Sequence, residues 1–353
     1  MVLSFFRRSD TLRREGRLAI LPSRGVAIIC SDLHGHLADF EAILARSDAE
    51  RRLEEGENLF LVFTGDVPDT ARHRQFDREV TADGDIRILE RLMALSERWP
   101  DRILYLEGNH DFHLARLRQE LQAWCRTRGR TPPARDAAAE RSLLMDFFAD
   151  YQEDYGLFLF RNNIAPYDMF ERVNDEQVDW LTSGPVLALM PGAGVAVTHA
   201  GPVRSAGWQS PRELLRIVRG LNPNALAELS PEDYYSSAYH QLLNNRFRNG
   251  DYNVEDLAAF CEALSVTLLV TGHTPHSYLQ LDTATPLPRC RLESGLGIVG
   301  ERQVVLCSSF GALGREAKTY LEIDLGRALA GPSELRPGAE IQRLYPSDGE
   351  GRA

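Results

Sequence analysis

The chain has 353 residues, 43% hydrophobic and 26% charged, with a formal net charge of -11. That length is enough for one large domain with insertions or two smaller ones, and the acidic balance argues against nucleic acid as the main partner. No apolar run is long enough to span a membrane, and five scattered cysteines with no C-x-x-C predict reduced thiols in a cytoplasmic protein, not a disulfide framework or zinc knuckle.

In chain order, the first segment is "MVLSFFRRSDTLRREGRLAI". Its short apolar start precedes its arginines, the reverse of a secretory signal, and residues 1–20 are expected to form an N-terminal arm. The next apolar run, "GVAII", leads into "CSDLHGH". Residues two apart on a strand face the same side, so a strand ending here would present Asp32 and His34 together. The competing reading makes Asp32 the N-cap of a helix over 37–49.

Near-continuous apolar runs follow at "LFLVFT", "ILYL", "VAVTH", "TLLVTGH", "QVVLCSS" and "TYLEIDL", as expected for strands buried on both faces. Helical patterns at 37–49 and 84–98 separate the first three and predict a right-handed β-α-β-α-β arrangement. Two longer helical stretches, about 112–190 and 204–265, read as insertions that wall a site. The main domain is expected over 21–330, and the Pro- and Gly-rich tail 331–353 is expected to be poorly ordered.

The strand ends carry the chemistry. "TGDVPD" supplies Asp66 and Asp69, "EGNHD" supplies Asn109 and His110, "THAG" supplies His199, and "TGHTPH" supplies His273. Carboxylate, imidazole and amide oxygen together suit Mn²⁺, Fe or Zn²⁺. The donors are too many for one ion and suit two, about 3.5–4 Å apart, with a shared carboxylate.

Asp-x-His, Gly-Asp-x-x-Asp, Gly-Asn-His-Asp, "THAG" and Gly-His-Thr, in this order, resemble the motif set of calcineurin-like metallophosphoesterases. The resemblance implies an α/β fold: a four-layer αββα sandwich of two mixed β-sheets flanked by helices. It implies hydrolysis of phosphate esters by hydroxide formed on a dinuclear metal centre, two divalent ions with Mn²⁺ expected. Position by position, Asp32 and His34 would bind the first ion and Asp66 would bridge both. Asn109, His199 and His273 would complete the second. His110 resembles the histidine that protonates the leaving group, with Asp69 holding its far nitrogen.

The chain departs from the family pattern at three places. Pro275 stands where many members carry a second late histidine, which brings the chain nearer the serine/threonine phosphatase branch and its bacterial relatives. His276, one residue on, is expected to point elsewhere. Thr70 and Glu107 stand where that branch carries arginines. Arg72, Arg204 and Arg246 are therefore the candidates to hold the substrate phosphate. The expected substrate is a phosphorylated protein or a small phosphoester. The alternatives are a dinucleoside polyphosphate hydrolase and, in another class, a non-catalytic scaffold; the complete ligand set argues against the scaffold.

Overall fold

The structure is a computed structural model that describes residues 11–70, 80–130, 146, 147, 149, 172–222, 231–280 and 290–345. Strands β1 (Arg13–Glu15), β2 (Leu18–Ile20), β6 (Leu187–Met190), β7 (Val195–Thr198), β8 (Leu268–Thr271), β9 (Cys290–Glu293), β10 (Leu296–Val299) and β11 (Gln303–Leu306) build one sheet. Its order is β1-β2-β6-β7-β8-β11-β10-β9. The second sheet, of order β13-β12-β3-β4-β5, joins β3 (Val26–Cys30), β4 (Leu59–Phe63), β5 (Ile103–Tyr105), β12 (Thr319–Asp324) and β13 (Ile341–Arg343). Both are mixed: β3, β4 and β5 run parallel, as do β7 and β8, while β12 is antiparallel to β3 and β6 to β7.

Alternation along each strand explains why the sheets stack. Side chains alternate between faces with a period of two, so a strand apolar at every position feeds two cores. Ala27, Ile29, Phe60 and Val62 meet Ala188, Met190, Val195, Val197 and Val270 in the core between the sheets. On the outer face of the smaller sheet, Ile28, Cys30, Leu61 and Phe63 pack against Phe40 and Ile43 of helix Leu37–Ser47 and Ile88 and Leu92 of helix Gly84–Arg98. On the other outer face, Leu187 and Leu189 pack with Leu214 and Val218 of helix Pro211–Arg219, Leu242 of helix Ala238–Asn244 and Phe260 of helix Val254–Leu264. Three cores separate four layers, the αββα sandwich expected from the motifs.

Several boundaries differ from the sequence reading. The segment read as an arm supplies β1 and β2, and Leu18, Ala19 and Ile20 are buried. Three-residue strands are too short to show a period, and only their pairing reveals them. "LALM", placed in a helical insertion, is β6, because Leu, Ala and Met favour helices by themselves but here pair with β7. Residues 331–345 of the tail include β13, paired with β12; residues 346–353 lie outside the described residues. No described helix is long and apolar enough to cross a membrane. All five cysteines are free.

Candidate active site

The parallel strands of both sheets end at one place. Asp32 follows β3, Asp66 follows β4, Asn109 and His110 follow β5, His199 follows β7 and His273 follows β8. Open α/β sheets bind ligands at such carboxyl ends. Asp32 and His34 do not meet through a strand pleat, since β3 stops at Cys30. A turn brings them together, with His34 at φ +41° and its Nε2 3.9 Å from Asp32 Oδ2. Asp32 caps no helix; His36 is the N-cap of Leu37–Ser47. Asp66, Asp69 and His273 also take positive φ, at +58°, +96° and +61°. Non-glycine residues in sparsely populated backbone regions cost about 1–3 kcal/mol each and cluster at functional sites. Two glycines make room for the carboxylates: a Cβ on Gly108 would lie 2.2 Å from Asp66 Oδ1, and one on Gly272 2.1 Å from Asp32 Oδ1.

The hydrogen bonds of the imidazoles aim their lone pairs. His199 Nδ1 donates to Thr64 O at 2.7 Å, and His273 Nε2 to Asn244 O at 3.2 Å. A carbonyl can only accept, so each ring, when neutral, keeps its other nitrogen as an acceptor. Those nitrogens, His199 Nε2 and His273 Nδ1, face each other at 3.1 Å, and His199 Nε2 also faces Asn109 Oδ1 at 2.9 Å and Asp66 Oδ2 at 3.4 Å. Four buried acceptors converge, an arrangement that requires a cation or a proton among them. His34 repeats the pattern: Nδ1 donates to Pro68 O at 2.9 Å, and Nε2 lies 3.7 Å from Asp66 Oδ2. Two groups with metal-ligand spacing result, His34–Asp66–His110 and Asp66–His199–His273, and Asp66 belongs to both.

The electrostatics agree with this arrangement. Burial opposes ionisation of Asp66, but the imidazoles of His199, His110 and His34 outweigh it and hold the carboxyl well below the usual range. Burial likewise disfavours a charged His199, yet the Asp66 and Asp32 carboxylates raise it to about 9. The field that holds that proton would equally hold a metal cation. His273 is pushed well down by burial and then by Arg246 and His199, which keeps it a neutral donor.

His110 sits in the first turn of helix Asn109–Thr127. Its Nδ1 lies 3.2 Å from Asp69 Oδ2, its Nε2 3.9 Å from Asp66 Oδ2, and its backbone N–H donates to Asp66 Oδ1 at 2.9 Å. Asp111 turns away from the site and accepts from Gly108 N at 2.7 Å, Asp66 N at 3.1 Å and the Tyr105 hydroxyl. Burial and the Asp66 charge raise its carboxyl to about 7.

The calcineurin-like phosphoesterase family model matches residues 26–277, which hold all of these side chains. The chain belongs to the calcineurin-like phosphoesterases. It is accordingly a metal-dependent hydrolase of phosphate esters. No curated protein sequence matches it. Among solved structures, it is similar to the cold-active protein-tyrosine phosphatase of the psychrophile Shewanella sp. (13% identity, 90% of this chain and 79% of that one, TM-score 0.44). It is also similar to a protein serine/threonine phosphatase from Saccharomyces cerevisiae (13%, 86% and 73%, 0.43). A third is a metallophosphoesterase from Sphaerobacter thermophilus (16%, 85% and 84%, 0.37). These likenesses are too distant to bear on substrate.

The arginines of this phosphoesterase separate. Arg246 is half-buried at the site, with Nη2 donating to His273 O at 3.3 Å and Nε buried without a hydrogen-bond partner. Arg204 is exposed and bonds through its backbone to Gln241. Arg72 lies outside the described residues. Thr70 and Glu107 turn into the protein: Thr70 exchanges hydrogen bonds with Asp85 at the start of helix Gly84–Arg98, and Glu107 pairs with Arg17 and Tyr239. His276 Nε2 is engaged by Val305 O at 3.0 Å. The carbonyls of Thr64, Pro68 and Asn244, which set the ring tautomers, carry no signal in the sequence, since every residue has a carbonyl.

Proposed function

We propose that this site hydrolyses phosphate monoesters, with phosphoserine or phosphothreonine on a protein as substrate, using two divalent cations, Mn²⁺ in preference. Asp32, His34 and Asp66 would hold one; Asp66, Asn109, His199 and His273 would hold the other. The observation that carries the reading is the set of buried acceptors converging beside the paired His110 and Asp69. Such cations supply charge to the phosphoryl oxygens and acidify water. Asp66 would serve both positions, since it belongs to both groups with metal-ligand spacing.

The chain's own groups do the rest. His110 gives its proton to the departing alkoxide, and Asp69, 3.2 Å from its Nδ1, orients the ring. Arg246 neutralises a phosphoryl oxygen with its free Nε–H. The N-terminus of helix Asn109–Thr127 adds positive potential where the phosphate would sit.

The test is hydrolysis of a phosphoserine peptide and of diadenosine tetraphosphate, each with Mn²⁺. Faster turnover of the phosphopeptide, measured as kcat/KM, supports the reading. Preference for the dinucleotide would replace it with the polyphosphate hydrolase alternative. No turnover of either with metal bound would point to a different class of phosphate ester.

A further inference from the structure

Arg17 lies between β1 and β2, outside the residues matched to the family, and is 7% exposed. Its guanidinium donates to Glu107 Oε2 and to the carbonyls of Thr182 and Gly184 at the end of helix Asp175–Ser183. Glu107 is fully buried, and its other oxygen accepts from the Tyr239 hydroxyl. Its backbone N–H donates to Pro185 O at 3.1 Å. The next three residues are Gly108, Asn109 and His110.

We infer that Arg17 and Tyr239 are positioning residues for the 107–112 segment and act through Glu107 to aim His110. Tyr239 grips this segment at both ends: its hydroxyl binds Glu107, and its ring meets Phe112 edge-on at 5.2 Å. It lies on helix Ala238–Asn244, whose last residue supplies the carbonyl bound by His273 Nε2. One buried pair and one phenol therefore tie the loop after β5 to the half of the site that follows β8. Where the phosphatase branch carries an arginine before Gly-Asn-His, this chain carries a glutamate facing inward; the position serves alignment of the loop, not contact with phosphate. Displacements of about 1 Å in a catalytic group can cost 10²-fold in rate, and loss of an outer partner of a metal ligand usually costs about 10–100-fold.

The inference rests on the proposed role of His110, so the test varies both. Removing one partner of a buried ion pair is strongly destabilising, so Arg17→Ala alone is a poor probe. Tyr239→Phe keeps the ring and deletes only the hydroxyl. Its kcat on benzyl phosphate, whose leaving group needs a proton, is measured in the wild-type and His110→Ala backgrounds, with Mn²⁺ supplied. Groups acting in series are not additive. The expected result is a fall of about 10-fold in the wild-type background and less than about 2-fold when His110 is absent. An unchanged kcat, or the same factor in both backgrounds, overturns the inference. If His110→Ala by itself leaves kcat untouched, the proposed acid role fails, a separate outcome.

Discussion

The two rims of the site are built from different chemistry. The loops after β3, β4 and β5 bring the carboxylates of Asp32, Asp66 and Asp69, together with His34, Asn109 and His110. The loops after β7 and β8 bring imidazoles, His199 and His273, and the nearby guanidinium of Arg246. Negative charge therefore enters from the smaller sheet, and neutral or cationic groups enter from the larger one. The carboxylates concentrate the field that attracts cations, while the burial that keeps His273 uncharged leaves it free to donate a lone pair. The interface between two sheets is a natural place for such a site, because neither rim is complete alone.

The largest effect should come from the carboxylate rim. Stripping the protein with a strong chelator should abolish turnover, and Mn²⁺ should restore it better than Ca²⁺, which prefers all-oxygen sites. Asp66→Asn should lower metal content at both positions and Asp32→Asn at one, as read by elemental analysis. Equal losses from the two would remove the case for a shared ligand.

His110→Ala should come next. It should retain metal but slow alkyl phosphates by roughly 10²–10⁴-fold, the usual contribution of a positioned acid. Its effect on p-nitrophenyl phosphate, which leaves as a stable anion, should be much smaller, and Asp69→Asn should repeat the pattern more weakly. Loss of metal with equal slowing of both substrates would make His110 a ligand, a role its place in the His34–Asp66–His110 group also permits.

On the cationic rim, Arg246→Ala should lower kcat/KM by about 10–100-fold, the value of a hydrogen bond to a charged group. Arg204→Ala, at an exposed position, should leave it unchanged. The reverse ranking would exchange their roles.

The last effect concerns protons. His199 is raised from 6.5 to about 9 in the metal-free protein, so it is charged at pH 7. Cation binding must displace that proton, and apparent affinity should rise about tenfold per pH unit toward pH 9. Calorimetry in two buffers of different ionisation enthalpy would measure the proton released; none released would contradict this account. The sign for stability is opposite. A raised histidine stabilises the metal-free fold fully below pH 6.5, and that contribution is lost as pH rises through about 9.

How much of this was legible in the sequence varied with length scale. Helix Gly84–Arg98 coincides with the stretch read from its pattern, and strands such as "LFLVF" were visible as unbroken apolar runs. The short strands β1, β2 and β13 and the ambiguous "LALM" were not, because their strand character comes from hydrogen bonds to distant segments. The same holds for single residues. Asp32, His34, Asp66, Asn109, His110, His199 and His273 could be picked out because each lies in a short motif at a strand end. Arg246 could only be named as one candidate among three, and Arg17 read as part of an N-terminal arm.

The sequence by itself determined which donors are present and the order in which strand ends deliver them, because those properties are local. It also carried the family membership, since the motifs keep their order along the chain. The tertiary structure decided which nitrogen of each imidazole faces inward, that Arg246 lies against His273 and where Glu107 turns. Those outcomes depend on carbonyls and side chains far away in the chain: Asn244 for His273, Thr64 for His199, Arg17 and Tyr239 for Glu107. A buried polar group must find a partner wherever the fold supplies one, and that choice is made only when the two sheets have stacked.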